Sequence, residues 1–439
     1  MTGLMETVKY KDVLTRADSG SFAPAGGFVL IREEAGRRFR EIGFPTRQNE
    51  GWKYLDLNPV LDVPFGALNG KHSLTRDEID GVLPPNHENK IVFVNGLYSK
   101  ELSSVHFPEG VIAADLAEAE QKYPELLQNF AAENAVETDP FAAINTFSFK
   151  SGLFLFIPDK VMIEGPVHVV LVTPAGAPAS AVHPRLFIVA GISTRVNVVV
   201  HSIDFGGTGF NNLVSEVHLK QGACMNYFQL QRLGASSRHF SSNRFYLKRH
   251  ASLEILNFTE GGVVTRHENR VRFEEEHGFA SMKGLSLLEK DSKSYAHLVA
   301  DHRAGQCISR QFYKNILGGR AVSEFNSLVE VHPGAQKSDS QQMNKNLLLS
   351  DTAQSYARPQ LRINADDVAC AHGSATGQME KSELFYLRSR GLSKELARFV
   401  LIYGFADEIL GSITDKTLKI YLEGRLDETL ERVTQGGKK

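Results

Sequence analysis

The chain has 439 residues, enough for two or three domains and a sizeable core. Its hydrophobic fraction of 42% and charged fraction of 23% are ordinary for a soluble globular protein. A net charge of −2 leaves no bulk basic field for nucleic acid or an anionic membrane, and no apolar run approaches the roughly 20 residues that a membrane span needs. The opening MTGLMETVKYKDVL lacks the cationic start and apolar run of a signal peptide. The three cysteines, Cys224, Cys307 and Cys370, are far apart and in no zinc or CxxC spacing, so free thiols in a reducing cytoplasm are expected.

Residues 1–135 read as a mostly helical α/β region. IREEAGRRFREIGF sets Ile31, Ala35, Phe39 and Ile42 on one helical face. PTRQNEGWKYLDL follows with the single tryptophan, Trp52, expected as a packing anchor. IVFVNGLYSKELS alternates, turns at Asn95-Gly96 and resumes, which predicts a hairpin. DLAEAEQKYPELLQNFAAE predicts a helix broken or restarted at Pro124.

From about Pro140 the texture changes to short strand-like runs, and residues 136–376 are expected to form one core. EVHLKQGACMNYFQL, RFYLKRHASLEILNF and RVRFEEEHGFASMKGLSLL share a phrase: two apolar residues two apart, a polar break, an alanine (Ala223, Ala251, Ala280), then another strand. The recurrence, roughly every 28 residues, lies in the window of stacked repeats. No helical period intervenes, so the fold class is mainly β, with a β-helix or β-solenoid core; an antiparallel sandwich is the alternative, since periodicity does not give strand direction. A solenoid needs capping, and the helical N-terminal region and C-terminus are the expected caps. Within the core, His302 and Cys307 are a second soft pair, but their spacing matches no standard metal motif and a structural role is expected. KSDSQQMNKN reads as hydrogen-bonding side chains stacked along solenoid corners, or else as part of a subunit interface.

The stretch from Arg358 to Gly391 draws the eye. Leu361 and Ile363 alternate with Arg362 and Asn364 as in a half-buried strand. Asp366 and Asp367 are expected to cap the final rung or mark a turn. Cys370 and His372 flank Ala371, so an extended backbone points both to one face, lined by small residues, that suits a soft metal or a sulfur-bearing group. Taken alone, a cysteine near a histidine is more often packed than ligating.

Residues 377–439 read as a helical domain. SELFYLRSR is expected to turn Leu384, Leu387 and Phe385 inward and to end at Gly391. Ser393 is a good N-cap for KELARFVLIYGFADEIL, whose Leu396, Val400, Tyr403 and Leu410 form a stripe broadened by Phe399 and Phe405. Leu418, Leu422, Leu426, Leu430 and Val433 form a last stripe, which either packs on the preceding helix or helps to hold a partner.

Pro359, Leu361, Asp366-Asp367-Val368, Cys370, His372-Gly373, Gly377, Leu384-Phe385-Tyr386-Leu387, Ser389-Arg390-Gly391, Ala397 and Gly404-Phe405 together resemble the C-terminal signature of the SufB/SufD family of iron–sulfur cluster assembly proteins. Asp301-His302, Cys307, Ser309, Gln311, Lys314, Gly318, Ala335-Gln336, Asp339 and Asn346 to Ser350 extend the resemblance, and residues 44–57 and 91–103 are more similar to the SufD branch than to SufB. Ala371 departs from the serine of the family pattern but leaves the Cys–His face open. The resemblance implies a right-handed parallel β-helix that pairs side by side with a SufB-like subunit. It implies helices that dock a SufC-like ABC-type ATPase, through Phe385, Tyr386, Arg388, Arg390, Phe399, Tyr403 and Phe405. It also implies iron or a transient iron–sulfur cluster held at the subunit interface by His372 and Cys370. The chain in isolation could then pair with a second copy.

There is no GxxxxGK[ST] loop, GxGxxG unit, GxSxG elbow or HExxH helix, so the chain is expected to be a non-catalytic scaffold with the ATPase activity in its partner. The rival class is a β-helix carbohydrate-active enzyme with carboxylates in a groove. Asp366 and Asp367 serve it poorly, because neighbours on a strand point to opposite faces.

Overall fold

The computed structural model describes residues 28–65, 73–131, 137–176 and 179–435, with Lys9 and Lys11, and gives side chains up to residue 430. The N-terminal stretch first read for a signal peptide, apart from those two lysines, and the side chain of Val433 lie outside what is described.

Two sheets wind around a common interior. Sheet one ends in Ala369–Gln378, and sheet two ends in Gln354–Ile363. In each sheet the eight solenoid strands are all parallel and joined alternately through the other sheet, which makes a two-sided solenoid of about eight turns. On sheet one, Arg195, Cys224, Ser252, Phe279, Ile308, Asp339 and Ala369 stack in register, 27 to 31 residues apart. The repeated phrase is one turn of the coil, and parallel pairing removes the sandwich alternative. Ala223 and Ala251 are fully buried just before their strands, and Ala280, also fully buried, lies one step inside its strand in register with Leu253. Strand texture begins at Gly152; Pro140–Ser148 is a helix capped by the Asp139 side chain on the Phe141 amide.

One end of the coil is closed. Asn89–Val94 joins sheet one in parallel and folds back on Leu97–Ser104 through Asn95-Gly96, both at positive φ, the hairpin turn expected there. Ile112–Asp115 closes sheet two antiparallel to Gly152–Ile157. The helix expected at Asp115 runs Leu116–Lys122, and a separate 3-10 turn starts at Pro124. Trp52 is buried with the Arg266 guanidinium 3.9 Å from its ring, a packing anchor.

The other end is not closed by the C-terminal helices, contrary to expectation. They lie flat on the outer face of sheet one. Phe228, Leu230, Leu256, Phe258, Leu285, Leu287 and Ile316 point outward there, and Ile402, Ala406, Ile409, Leu418, Leu422 and Leu426 cover them. An apolar outer face needs a cover more than the end of the coil does. Two ionic contacts fix this layer. Arg425 makes a bidentate pair with Glu260, at 2.8 and 2.7 Å. Lys314, fully buried, donates to the Phe405 carbonyl and pairs with Glu408 at 2.8 Å. Among the described residues no helix is long and apolar enough to cross a membrane.

Candidate functional site

The terminal rung is Gln354–Ile363 and Ala369–Gln378, and among the described residues nothing pairs with its free edge. The Gln354 and Asn364 amides bond back to Ala321 and Val331, so even-numbered residues of that strand face the sheet and odd ones face the open edge. Pro359 is odd, and its missing N–H falls on the edge, where proline is tolerated. The Ala369 amide bonds back to Ser338, so Cys370 and His372 turn their backbone N–H and C=O to the open edge. Asp366 and Asp367 lie in the turn between the two strands, with the Asp367 carbonyl accepting from the Lys337 amide.

The side chains of Cys370 and His372 share the inward face, as their spacing predicts. Cys370 stands over Ser340, and His372 stands over Gln342. Cys370 is half-buried beside Leu361, Ala365 and Val368 at the end of the apolar interior, while His372 is exposed at the mouth. Burial pushes the Cys370 thiol above its ordinary value and Asp339 adds to this, while the Ser340 backbone works against it. The thiol is therefore protonated near neutral pH and becomes a good ligand only on losing its proton.

Two interior rows lead to this pair. One runs Val196, Met225, Leu253, Ala280, Ser309, Ser340, Cys370. The next runs Val198, Tyr227, Ile255, Met282, Gln311, Gln342, His372. Each row is mostly apolar in its first four rungs and polar in its last three. The polar ends are bonded: Ser309 Oγ lies 2.7 Å from Ser340 Oγ and 2.9 Å from His302 Nε2. Burial lowers His302 to about 4, so it is a neutral imidazole. Cys307 is buried in a turn with its thiol raised to about 11 by burial. His302 and Cys307 are thus packed residues, as expected, and neither joins the mouth.

Ser340 and Gln342, under the two candidate ligands, were missed as site residues. KSDSQQMNKN was read as solenoid corners, but Ser340, Gln342, Asn344 and Asn346 are buried inside the coil. Their strict i, i+2 alternation was the available signal.

On the helical layer, Phe385 is 74% exposed and Tyr386 57%, which corrects the inward placement of Phe385; Leu384 and Leu387 are half-buried. Arg388 and Arg390 are exposed beside them. Ser393 caps Lys394–Leu410 through the Leu396 amide, and Gly391 takes a positive φ of 93°, both as read. The buried stripe of that helix is Ala397, Ile402, Ala406, Ile409 and Leu410, whereas Leu396 and Val400 are exposed and Tyr403 is half-buried, its ring stacked on Phe399. Phe405 is half-buried, its ring 4.0 Å from the Lys314 ammonium. A cleft of about 450 Å³ separates this helix from the terminal rung, between Val400, Phe405 and Glu408 on one side and Ala375 and Gly377 on the other.

Asp301, Glu330 and His332 also cluster, on the outer face of sheet two. Arg272 and Arg303 both bond Asp301 Oδ2, and Arg362 bonds Glu330. Three guanidinium groups already balance these carboxylates, which disfavours a divalent cation. The same pairing argues against a carbohydrate-cleaving acid pair, which needs one free carboxylate and one free acid.

The fold and its donors define a parallel β-solenoid whose open end carries a thiol and an imidazole. The chain belongs to the SufBD family: the model described as "SUF system FeS cluster assembly, SufBD core domain" matches residues 172–405, and that of the SufBD protein N-terminal region matches 25–169. An iron–sulfur cluster assembly SufBD family protein of Synechocystis sp. is 28% identical over 411 residues, covering 91% of this chain and 89% of that protein. The iron–sulfur cluster assembly protein SufD of Escherichia coli is 26% identical over 391 residues, 88% and 90% of the two chains. SufD of Bacillus subtilis is 24% identical over 382 residues, 84% and 85%. This is therefore a SufD-like iron–sulfur cluster assembly protein, of a family that implies assembly partners in general, and the carbohydrate-enzyme alternative has no support.

Proposed function

We propose that this chain is a non-catalytic scaffold subunit that pairs along its terminal rung with a SufB-like subunit and holds iron or a nascent cluster there through His372 and Cys370. One observation carries the proposal: Cys370 and His372, two residues apart on one inward face at the mouth of the coil, sit on a strand whose backbone edge is unpaired among the described residues. An edge of this kind is a template for another chain. Two donors also leave a four-coordinate iron or a cluster incomplete, so the remaining ligands come from across the edge. The neutral imidazole and the thiol, once deprotonated, bind the iron cargo. Imidazole in place of thiolate makes a bound cluster less electron-rich and more readily given up.

The exposed Phe385 and Tyr386, with Arg388 and Arg390 beside them, are the proposed docking surface for a SufC-like ABC-type ATPase; Phe399, Tyr403 and Phe405 shape the helix behind them. Lys381–Ser389 connects directly to the strand that bears His372, so partner motion would reach the seam through a short link. The setting is the cytoplasm. In isolation the same edge suits a second copy of the chain.

The Ser374→Pro variant tests the seam. Ser374 is an even residue, so proline removes an N–H from the open edge and none from the sheet. Co-expressed with SufB-like and SufC-like subunits, S374P should lose the SufB-like partner on gel filtration and keep its own unfolding midpoint. Full retention of that partner would remove the edge-pairing proposal.

A further inference from the structure

We propose that Gln342 positions His372: its Oε1 accepts the imidazole N–H and turns the other ring nitrogen, with its lone pair, toward the open edge. The inference rests on His372 being a ligand. Gln342 is directly beneath His372 in register and is 1% exposed. Its amide orientation is fixed by its neighbours. The Ser327 hydroxyl donates to Gln311 Oε1, and its oxygen accepts from Gln342 Nε2 at 2.7 Å. The same nitrogen lies 3.4 Å from the Gln360 carbonyl, where a flipped amide would set oxygen against oxygen. Both N–H groups of Gln342 are thereby committed. Its Oε1 is buried with no partner among the described residues.

A buried amide oxygen without a donor is costly. His372 is the side chain in register on the next rung, and a neutral imidazole carries one N–H to give. His372 is exposed, and its ring is oriented by rotation about χ1 and χ2. A metal-ligating imidazole is usually oriented this way, by a hydrogen bond to its second nitrogen. Gln342 would be a positioning residue, with no direct contact to the iron.

The test uses the full-length chain labelled with 15N-histidine, the His372 signals being assigned by their loss in H372Q, and Co²⁺ as the metal probe. In the metal-free wild type, the uncharged form of His372 should be a single tautomer. Q342L should mix the two tautomers, and Q342E, which keeps an acceptor, should restore one. Co²⁺ affinity should fall about tenfold or more in Q342L, the usual loss when an outer partner of a ligand is removed, and recover in Q342E. Tautomer populations unchanged between wild type and Q342L would overturn the inference, as would rescue failing in Q342E while its unfolding midpoint is unaltered. Undiminished Co²⁺ binding in H372Q would instead remove the ligand role of His372, and the tautomer comparison would still decide the role of Gln342.

Discussion

The two ends of the solenoid interior are built on one backbone and differ in almost everything else. At the closed end Val196, Met225 and Leu253 stack in an apolar column under a hairpin cap. Beyond Ala280 in the same row stand Ser309, Ser340 and Cys370, with no cap above them among the described residues. Rung geometry is set by the repeat period, which persists to the last turn. Chemistry is set by the inward side chain alone, so a scaffold can change its interior from core to site without altering its coil. The apolar end supplies stability, and the polar end spends some of it to keep donors accessible.

That contrast can be broken directly. Leu253→Ala should lose about 2–5 kcal/mol, the range for a buried leucine truncated to alanine, in urea unfolding. Ser340→Ala, one rung beneath Cys370, should lose only about 1 kcal/mol, one buried hydrogen bond. Equal losses would mean that the two ends do not differ as described.

Acid should act through the imidazoles enclosed in the coil. Burial lowers His239 to about 3 and His302 to about 4, both below the ordinary value, so the unfolded chain takes up protons first as pH falls. The stability they contribute is complete above about pH 6.5 and is lost as pH falls toward 3 to 4. For His239 alone the loss between pH 7 and pH 5 is about 2 kcal/mol. Asp139, raised to about 6 by burial, acts in the opposite sense: its contribution is complete at low pH and lost as pH rises through 6. Thermal unfolding of His239→Leu should therefore fall less steeply between pH 7 and 5 than wild type; parallel profiles would contradict this.

Gly284 sharpens the polar side. A Cβ there would run into the Tyr313 ring, and that ring is held by its hydroxyl to Asn257 Oδ1 at 2.8 Å. Gly284→Ala should lose about 1–3 kcal/mol as overpacking, read from the same urea titration.

The coil was legible because Val217 and Leu219, Phe245 and Leu247, and Val271 and Phe273 mark one face at each turn. The shared face of Cys370 and His372 followed from their spacing alone. The cover was not legible. On sheet one, inward Met225 and Tyr227 alternate with outward Phe228 and Leu230, so both faces are apolar and the period of two disappears. The helix Lys394–Leu410 was misread for a related reason. It packs through Ala397 and Ala406, which let it approach the sheet closely, while the larger Leu396 and Val400 stay exposed. The polar interior escaped notice because buried amides have no sequence mark except their alternation.

The most direct test is anaerobic reconstitution of the purified complex with ferrous iron and sulfide, comparing wild type with His372→Ala and Cys370→Ala. The account predicts that His372→Ala loses most of the bound iron, acid-labile sulfide and visible absorption while its unfolding midpoint stays at the wild-type value. Undiminished loading in both variants would contradict it.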